Sequence, residues 1–288
     1  MRTYFTIGTN SKNNTIFRGK VEGTNIKLVT KLLTNGLIPS DKIPLLSSLF
    51  DGVQISWDGN KDNNPRFGNN KQIGEKIWEN IGLFINEGTK VNILTVVSEE
   101  NYKNLGEIID SLYNTYGIGD IVLSLKDSVG KADNELINID YSLLRKNYID
   151  LWKKYRGYDI DIPLTGTDIH SISNHPCGVS VPNFSISPNG IISSCTLSFN
   201  NNDTPSYFDI GRLENGTFIL NELKVKNLQA LSVLGMEQCN DCFGKWHCRG
   251  GCMYANKLEW LGDINPQRCD MIRKIIADKI LFIAGFKI

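Results

Sequence analysis

The stretch from Cys239 to Cys252 has the sequence CNDCFGKWHCRGGC, and its four cysteines are spaced C-x2-C-x5-C-x3-C. The two thiols of a C-x2-C pair lie on one tight turn and can bind one metal centre. Cys248 and Cys252 are four residues apart, so in a helix they would project from one face. Gly250 and Gly251 between them carry no Cβ, which lets a bulky metal centre approach the backbone. The stretch therefore predicts a metal site built on thiolates.

The other three cysteines extend this pattern on both sides. Cys177 and Cys195 precede the stretch, Cys269 follows it by 17 residues, and the first 176 residues contain no cysteine. Seven is an odd number, so disulfide pairing cannot use them all. One zinc site would use four thiolates and leave three, whereas two four-iron clusters would use seven or eight. The count therefore favours two clusters, and structural zinc stays open as an alternative.

The chain as a whole has an ordinary globular composition and no net charge. Its 288 residues are 41% hydrophobic and 22% charged, with 31 basic and 31 acidic side chains. This balance argues against a nucleic-acid binder that relies on bulk positive charge. No apolar run approaches the roughly 18 residues of a membrane-spanning helix, and no basic segment followed by an apolar core opens the chain. We therefore expect a cytoplasmic protein with no membrane and no nucleic-acid partner.

Before the cysteines, short apolar runs alternate with amphipathic segments. Three runs are predicted to be buried strands: Gly52–Ser56, Val91–Val97 and Ile121–Leu125. Apolar residues recur at helical spacing in three further segments: Ile73–Phe84, Leu105–Tyr116 and Leu144–Tyr155. Strands that alternate with helices favour parallel pairing with right-handed crossovers. This half is therefore predicted to be an α/β region built on a parallel sheet.

The cysteine pattern resembles the signature of the SPASM domain, the C-terminal extension of many radical S-adenosylmethionine (SAM) enzymes, including peptide and anaerobic sulfatase maturases. The resemblance covers roughly residues 168–275 and includes Cys177-x12-Gly190-x4-Cys195, SISPNGIISSC at Ser185–Cys195 and CRGGC at Cys248–Cys252. It implies two auxiliary four-iron clusters. By position, one would be held by Cys239, Cys242, Cys248 and Cys269, and the other by Cys177, Cys195 and Cys252.

The resemblance also implies an incomplete ligand set for the second of these clusters. Many relatives have an eighth cysteine about six residues before the first, where this chain has Ser171. One iron of that cluster would then be open. Asp168, His170, His175 or a group of the substrate are the candidates to fill it. His247, beside Cys248, is predicted to support the ligands rather than to bind iron.

The first half resembles radical SAM enzymes over roughly residues 28–135. Four segments are similar to the third to sixth strands of their barrel and the loops that follow: KLLTNGLI at Lys31–Ile38, VQISWDG at Val53–Gly59, VNILTVVSEEN at Val91–Asn101 and IVLSLKDSVGKAD at Ile121–Asp133. In that family the serine at the end of the fourth strand contacts SAM, and by position this is Ser56. Arg66 in NPRFG is the candidate to meet the SAM carboxylate.

The catalytic signature of that family is missing from this chain. No cysteine precedes Cys177, so nothing matches the C-x3-C-x2-C motif of the reactive cluster. The glycine-rich strand expected near Phe5–Thr9 is absent, and residues 9–30 lack the expected helical pattern. The barrel is therefore expected to lack its first strand and much of its second. An uncovered sheet edge can pair with other chains and so is a liability. Three elements are candidates to cover it: local strands at Tyr4–Ile7 and Asn14–Val21, a second copy of the chain, or a catalytic partner protein.

Together these observations predict a partial radical SAM-type parallel β/α barrel in residues 1–165. A small cysteine-rich SPASM domain with a β-hairpin and short helices is predicted in residues 166–288. The expected function is modification of a ribosomal peptide or protein through two auxiliary 4Fe-4S clusters, by a chain that cannot cleave SAM alone. One alternative is the C-terminal portion of a complete or split SAM-dependent maturase, and another is a zinc-stabilised peptide-binding module. Whether the chain binds SAM stays open.

Overall fold

The computed structural model describes the backbone of residues 4–6 and residues 29–127, 138–175, 177–180, 183–200, 206–254 and 265–288. The chain forms two compact units. The first comprises Met1–Lys126 with Lys146–Leu164, and the second comprises Asp127–Arg145 with Thr165–Ile288. The domain boundary between residues 165 and 166 stays a prediction.

The first unit is built on a parallel sheet whose strands lie in chain order. These are β1 (Tyr4–Thr6), β2 (Val29–Thr34), β3 (Gly52–Ser56), β4 (Lys90–Val97) and β5 (Ile121–Leu125). Every neighbouring pair is parallel, and isolated parallel bridges join Asp120 to Asp161 and Leu123 to Leu164 beyond β5. The three predicted strands are confirmed, and β4 begins one residue earlier than expected. The predicted α/β class with a parallel sheet is therefore confirmed.

Helices in this unit follow the predicted apolar spacing. They are α1 (Ile43–Leu49), α2 (Lys71–Asn86), α3 (Leu105–Tyr116) and α4 (Tyr141–Lys154), of which the part from Lys146 onward belongs here. Asn70 begins α2 by accepting a hydrogen bond from the Ile73 amide, and Gly117 ends α3 in the left-handed conformation. Gly36, with φ 81°, turns the chain after β2, and a Cβ there would lie 2.6 Å from Ile77 of α2 and 2.9 Å from Ile55 of β3. Only glycine fits this turn, because it has no Cβ.

The second unit contains an antiparallel sheet and short helices. Its strands are β6 (Ser185–Ile186), β7 (Ile191–Ser193), β8 (Asp209–Glu214) and β9 (Thr217–Leu220), hydrogen-bonded in that order. Its further helices are α5 (Glu222–Gln229), α6 (Lys245–Cys248) and α7 (Pro266–Ile283). The hairpin between β8 and β9 turns at Asn215 and Gly216, both with positive φ, as the tightest hairpin turns require. Val179, Ile192, Phe208, Leu228 and Val233 form the buried core beneath this sheet.

One of the two local strands expected in the N-terminal segment is found. Tyr4–Thr6 forms a strand parallel to β2, with Tyr4 opposite Val29, as expected for a local strand at this edge. Asn14–Val21 lies outside the described residues, and a partial barrel stays a prediction. No helix in the described part of the chain is both long and apolar enough to cross a membrane.

Candidate metal centre

The seven cysteines all lie in the second unit, on turns and helix ends. Cys177 precedes a 3-10 turn at Gly178–Ser180, Cys195 follows β7, and Cys239 ends the 3-10 turn Glu237–Cys239. Cys248 is the last residue of α6, and Cys269 lies in the first turns of α7. All seven are described, and none forms a disulfide bond. The thiols are therefore available as ligands.

Three of these thiols, at Cys177, Cys195 and Cys252, influence one another, and we call them the Cys177 group. Burial raises the pKa of the Cys177 thiol, and the charge of Cys252 raises it further. Burial also raises the pKa of Cys195, with added effects of Cys252 and Cys177. The Cys177 residue is exposed, but its sulfur is covered enough for burial to dominate. The amides of Val179 and Leu197 donate to the sulfurs of Cys177 and Cys195 and so stabilise their thiolates.

The remaining four thiols form a second set, the Cys239 group, which comprises Cys239, Cys242, Cys248 and Cys269. Burial raises the pKa of Cys239, and the charges of Cys242 and Cys269 add to the effect. Burial raises the pKa of Cys248 to about 11, with contributions from Cys269 and Cys239. Lys245, Arg273 and Arg268 are close enough to lower these pKa values. These cations would offset the negative charge of four thiolates.

The donor type fits a thiolate-bound cluster. Gly166 and Gly244 lie beside two of the thiols, since a Cβ added at Gly166 would lie 3.7 Å from Cys248 Sγ and one at Gly244 would lie 3.9 Å from Cys242 Sγ. Soft thiolates are the ligands that iron–sulfur clusters prefer. Within the described residues, no set of three or more His, Cys, Asp or Glu side chains is arranged to hold one metal ion. A four-iron cluster makes a different demand, because its ligands bind separate irons. The two thiol groups have the same members as the ligand sets implied by the resemblance, and that assignment stays a prediction.

The CRGGC turn separates the two groups. Cys248 and Cys252 do not project from one helix face, because α6 ends at Cys248. Arg249, Gly250 and Gly251 follow with φ of 61°, 81° and 78°. Three consecutive residues in the left-handed conformation turn the chain, and a right-handed helix cannot continue through them because it needs negative φ. A Cβ at Gly250 would lie 2.4 Å from Met236 Sδ, so at this glycine the free space is taken by a methionine.

The position of the missing eighth cysteine is occupied by a polar network. Ser171 donates its hydroxyl hydrogen bond to Asp168 and accepts one from Arg249 Nη2. Arg249 also pairs with Asp168 at 3.8 Å. Burial raises the pKa of Asp168, but bonds from Ser171 and the His170 amide, together with Arg249, bring it below its usual value. Asp168 and Ser171 are therefore already engaged with each other and with Arg249.

The histidines near the cysteines bind backbone carbonyls. His175 Nδ1 lies 2.9 Å from the Leu231 carbonyl oxygen, and His247 Nδ1 lies 3.0 Å from that of Asp168. The contact of His247 fits the supporting role predicted for it. His170 is exposed, and its amide donates to Asp168 Oδ1 at 2.9 Å.

The two predicted SAM-contact residues lie in the first unit near the carboxyl end of β3. Ser56 ends that strand opposite Leu94. Arg66 lies in the turn Pro65–Phe67, and its Nε donates to Asp58 Oδ2 at 2.8 Å. Asp58 is 6% exposed, and its Oδ1 accepts from the Val96 amide at 2.7 Å. Arg66 is thus held by Asp58, which lies two residues after Ser56, and the contact of Arg66 with SAM stays a prediction.

Sequence reasoning missed two residues that organise this region, Asp58 and Asn101. The Asn101 side-chain amide donates to the carbonyl oxygens of Asp58 and Val96 at 2.9 and 2.8 Å. Its Oδ1 accepts from the Ser98 amide at 2.8 Å. Their positions in the sequence could have indicated this role, because Asp58 and Asn101 follow two buried strands, and residues that follow neighbouring parallel strands meet at one end of the sheet.

The fold is shared with two solved maturases. Native anSMEcpe with bound AdoMet superposes with a TM-score of 0.70 at 16% identity, over 95% of this chain and 79% of that one. Its complex with AdoMet and the Cp18Cys peptide gives 0.64 at 16% identity, over 94% and 80%. SuiB of Streptococcus suis bound to precursor peptide SuiA gives 0.57 at 16% identity, over 81% of this chain and 56% of SuiB.

These comparisons establish the fold and leave the activity to the site. No family model and no curated protein sequence matches the chain. At 16% identity, similarity to anSMEcpe and SuiB describes how the chain is folded. The chain has the fold of radical SAM maturases of the SPASM type.

Proposed function

We propose that this chain is an iron–sulfur protein of radical SAM maturase descent. It takes part in modifying a ribosomal peptide or a protein through two auxiliary four-iron clusters, and it has no radical-generating cluster of its own. The observation that carries the proposal is the division of seven thiols into the Cys177 group and the Cys239 group. No cysteine precedes Cys177, so the chain has no thiols for a third, SAM-cleaving cluster.

Each thiol group has a defined role in this proposal. The Cys239 group supplies four thiolates to one cluster, and the Cys177 group supplies three to the other. A bound four-iron cluster supplies one-electron transfer, at a potential set by charge, hydrogen bonds and solvent exposure. Lys245, Arg268 and Arg273 place positive charge beside the Cys239 group. The amides of Val179 and Leu197 orient two sulfurs of the Cys177 group. The chain thereby presents two differently tuned sites.

The fold supports a class of substrate, and the missing C-x3-C-x2-C motif supports a separate catalytic partner. Structures with the same fold contain a Cp18Cys peptide and the precursor peptide SuiA, which supports a peptide or protein substrate here. A separate catalytic protein would generate the radical, and this chain would bind the substrate or relay an electron beside it. SAM itself would meet Ser56 and Arg66. Since Arg66 already pairs with Asp58, a SAM carboxylate would share the remaining N–H groups of that guanidinium.

Iron and sulfide counts test the proposal. We expect the chain, reconstituted anaerobically, to bind about eight irons and eight sulfides and to absorb near 400 nm. The double variant Cys239→Ala/Cys242→Ala should keep about four irons, and Cys177→Ala/Cys195→Ala should also keep about four, since each removes one group. One or two zinc ions with no sulfide would instead contradict the clusters and favour a zinc-stabilised module.

A second measurement separates the proposal from the alternative of a split or longer maturase. The reconstituted chain, given SAM and a strong reductant, should release no 5′-deoxyadenosine. Translation of the DNA upstream of Met1 should contain no C-x3-C-x2-C motif. Finding that motif in frame, or in an adjacent reading frame, would establish the C-terminal portion of a SAM-dependent enzyme.

A further inference from the structure

We propose that Ser180 is the fourth ligand of the cluster at the Cys177 group, through its side-chain oxygen. This inference rests on the proposed function, because it presupposes a cluster held by Cys177, Cys195 and Cys252. It replaces the open iron that the loss of the eighth cysteine would otherwise leave.

The spacing of Ser180 from Cys177 repeats that of a metal-binding pair. Ser180 is the third residue after Cys177 and ends the 3-10 turn Gly178–Ser180. In a 3-10 turn, side chains three residues apart lie on the same side. The Cys239 group uses the same spacing, where the Cys242 amide donates to the Cys239 carbonyl at 3.1 Å. Cys177-x2-Ser180 is therefore a C-x2-C pair with oxygen in place of the second sulfur.

The Ser180 hydroxyl is buried and, in the part of the chain that the structure describes, has no hydrogen-bond partner. The residue is 4% exposed, and among the described residues nothing hydrogen-bonds to its Oγ. Leaving a buried hydroxyl unpaired is unfavourable, and such a group is expected to have a partner. Ser198, equally buried near Cys195, shows the usual arrangement, since its Oγ lies 2.7 Å from both Ser193 Oγ and the Cys195 carbonyl. An iron atom would supply the partner that Ser180 lacks.

The turn that carries Ser180 is held firmly against the core. Val179 is buried in the core of the second unit, and its amide donates to the Cys177 sulfur. A Cβ at Gly178 would lie 2.2 Å from Asn183 Nδ2, so this glycine lets Asn183 pack directly on the turn. These contacts position the turn that carries Ser180 next to Cys177, as a ligand site requires.

Of the other candidates for the fourth position, His170 is exposed, and the others already have side-chain partners. Asp168 and Ser171 bind each other and Arg249. The Nδ1 atom of His175 lies 2.9 Å from the Leu231 carbonyl oxygen. Binding iron through Asp168 or Ser171 would break existing hydrogen bonds, whereas binding through Ser180 would break none.

The ligation step conserves electrons. The Ser180 oxygen forms a bond to the open ferric or ferrous iron, and the hydroxyl proton passes to solvent, as expected when a protein group becomes a metal ligand. A harder oxygen donor favours the oxidised cluster. The cluster at the Cys177 group is therefore expected to have a lower reduction potential than one with four thiolates.

The test compares three variants of the full reconstituted chain by iron content and electron paramagnetic resonance after ferricyanide oxidation. Wild type should hold about eight irons with no three-iron signal, and Ser180→Ala about seven with that signal. Ser180→Cys should restore the eighth iron and raise the potential of that cluster. Ser198→Ala, a matched buried serine that already has partners, should behave as wild type.

The outcomes separate this inference from the proposed function. If Ser180→Ala keeps the wild-type iron count and gives no three-iron signal, Ser180 is not a ligand, and the two clusters stand without it. If wild type itself holds only about four irons, the Cys177 group carries no cluster, and both proposals fail. Near-ultraviolet circular dichroism of the iron-free chains checks that each variant is folded.

Discussion

Cys248 and Cys252 are four residues apart, yet their thiols belong to different groups, because Arg249, Gly250 and Gly251 all adopt left-handed conformations between them. This turn is the part of the second unit on which both candidate clusters depend. A side chain at Gly250 would meet Met236 at 2.4 Å and would also be strained at φ 81°.

We therefore expect Gly250→Ala to lose iron from both groups and to lower the free energy of unfolding of the iron-free chain by about 2–4 kcal/mol. Gly216→Ala is the matched control, because φ is 77° and no atom lies within 4 Å of an added Cβ. It should lower that free energy by only about 1 kcal/mol and keep all the iron. Urea unfolding and iron counts measure both, and equal losses in the two variants would contradict a packing role for Met236.

A second prediction concerns pH and Asp58. Burial raises the pKa of Asp58 above 3.8 in spite of Arg66 and the Val96 amide. The folded chain therefore keeps the Asp58 proton to higher pH than the unfolded chain does. The stability that Asp58 contributes is fully present below pH 3.8 and is lost as the pH rises through the folded pKa.

Asp58→Asn removes this titration. The free energy of unfolding of wild type minus that of the variant should fall as the pH rises from 3.8 toward neutrality. Urea unfolding of the iron-free chain under reducing conditions, at a series of pH values, measures this difference. A difference that grows with pH would mean that Arg66 outweighs burial. Asp62→Asn is the contrasting control, because the hydrogen bond from Lys71 lowers the pKa of this exposed carboxyl, and its difference should not fall over the same pH range.

A third prediction concerns a two-point ion pair within the second unit. Arg145 Nε and Nη2 donate to the two carboxylate oxygens of Asp278 at 2.7 and 2.6 Å. Asp278 is 7% exposed, so Arg145→Ala leaves a nearly buried carboxylate unpaired. We expect a loss of about 2–3 kcal/mol in thermal or urea unfolding, less than for a fully buried pair, because the arginine is partly exposed.

Lys274→Ala provides the comparison for that ion pair. Lys274 and Asp270 form an exposed pair at 2.7 Å on α7. Exposed pairs of this kind contribute little to stability, because solvent screens them. Similar losses for Arg145→Ala and Lys274→Ala would show that burial of Asp278 does not strengthen its pair.

A fourth prediction asks whether the position of the missing cysteine can replace Ser180. Because Ser171 is bound by Asp168 and Arg249, we expect Ser171→Cys not to restore the lost iron in a Ser180→Ala background. Ser171→Cys combined with Arg249→Ala releases that residue and makes the matched comparison. Iron content and the three-iron resonance are measured for the double variant and for the triple variant that adds Arg249→Ala. Full recovery of the lost iron in the double variant, without Arg249→Ala, would show that Asp168 and Arg249 do not keep residue 171 from binding iron.

The strands and helices of the first unit were predictable because apolar spacing decides them. Gly52–Ser56 and Ile121–Leu125 have the predicted bounds, since each is a short apolar run that the sheet buries. The thiol groups have the members that the resemblance implied, and their role as cluster ligands stays a prediction. These features depend on neighbours in sequence or on a repeated motif.

What sequence reasoning missed depends on contacts between distant residues or on unusual backbone conformations. Arg145 and Asp278 are 133 residues apart, and nothing local to either indicates the pair. The left-handed Arg249 is not a glycine, so its conformation was not expected, and it prevents a helix from continuing from Cys248 to Cys252. Ser180 lies in an unremarkable segment, and only its burial without a partner draws notice.

The short CRGGC turn also limits how far apart two redox centres can be. Four residues span at most about 14 Å even when fully extended. If Cys248 and Cys252 each bind a cluster, electron tunnelling between the clusters is fast, because covalent structure limits their separation. Substrate binding could then change the energy of one centre without changing its separation from the other. The pair would act as a two-site electron store that responds to the substrate as one unit.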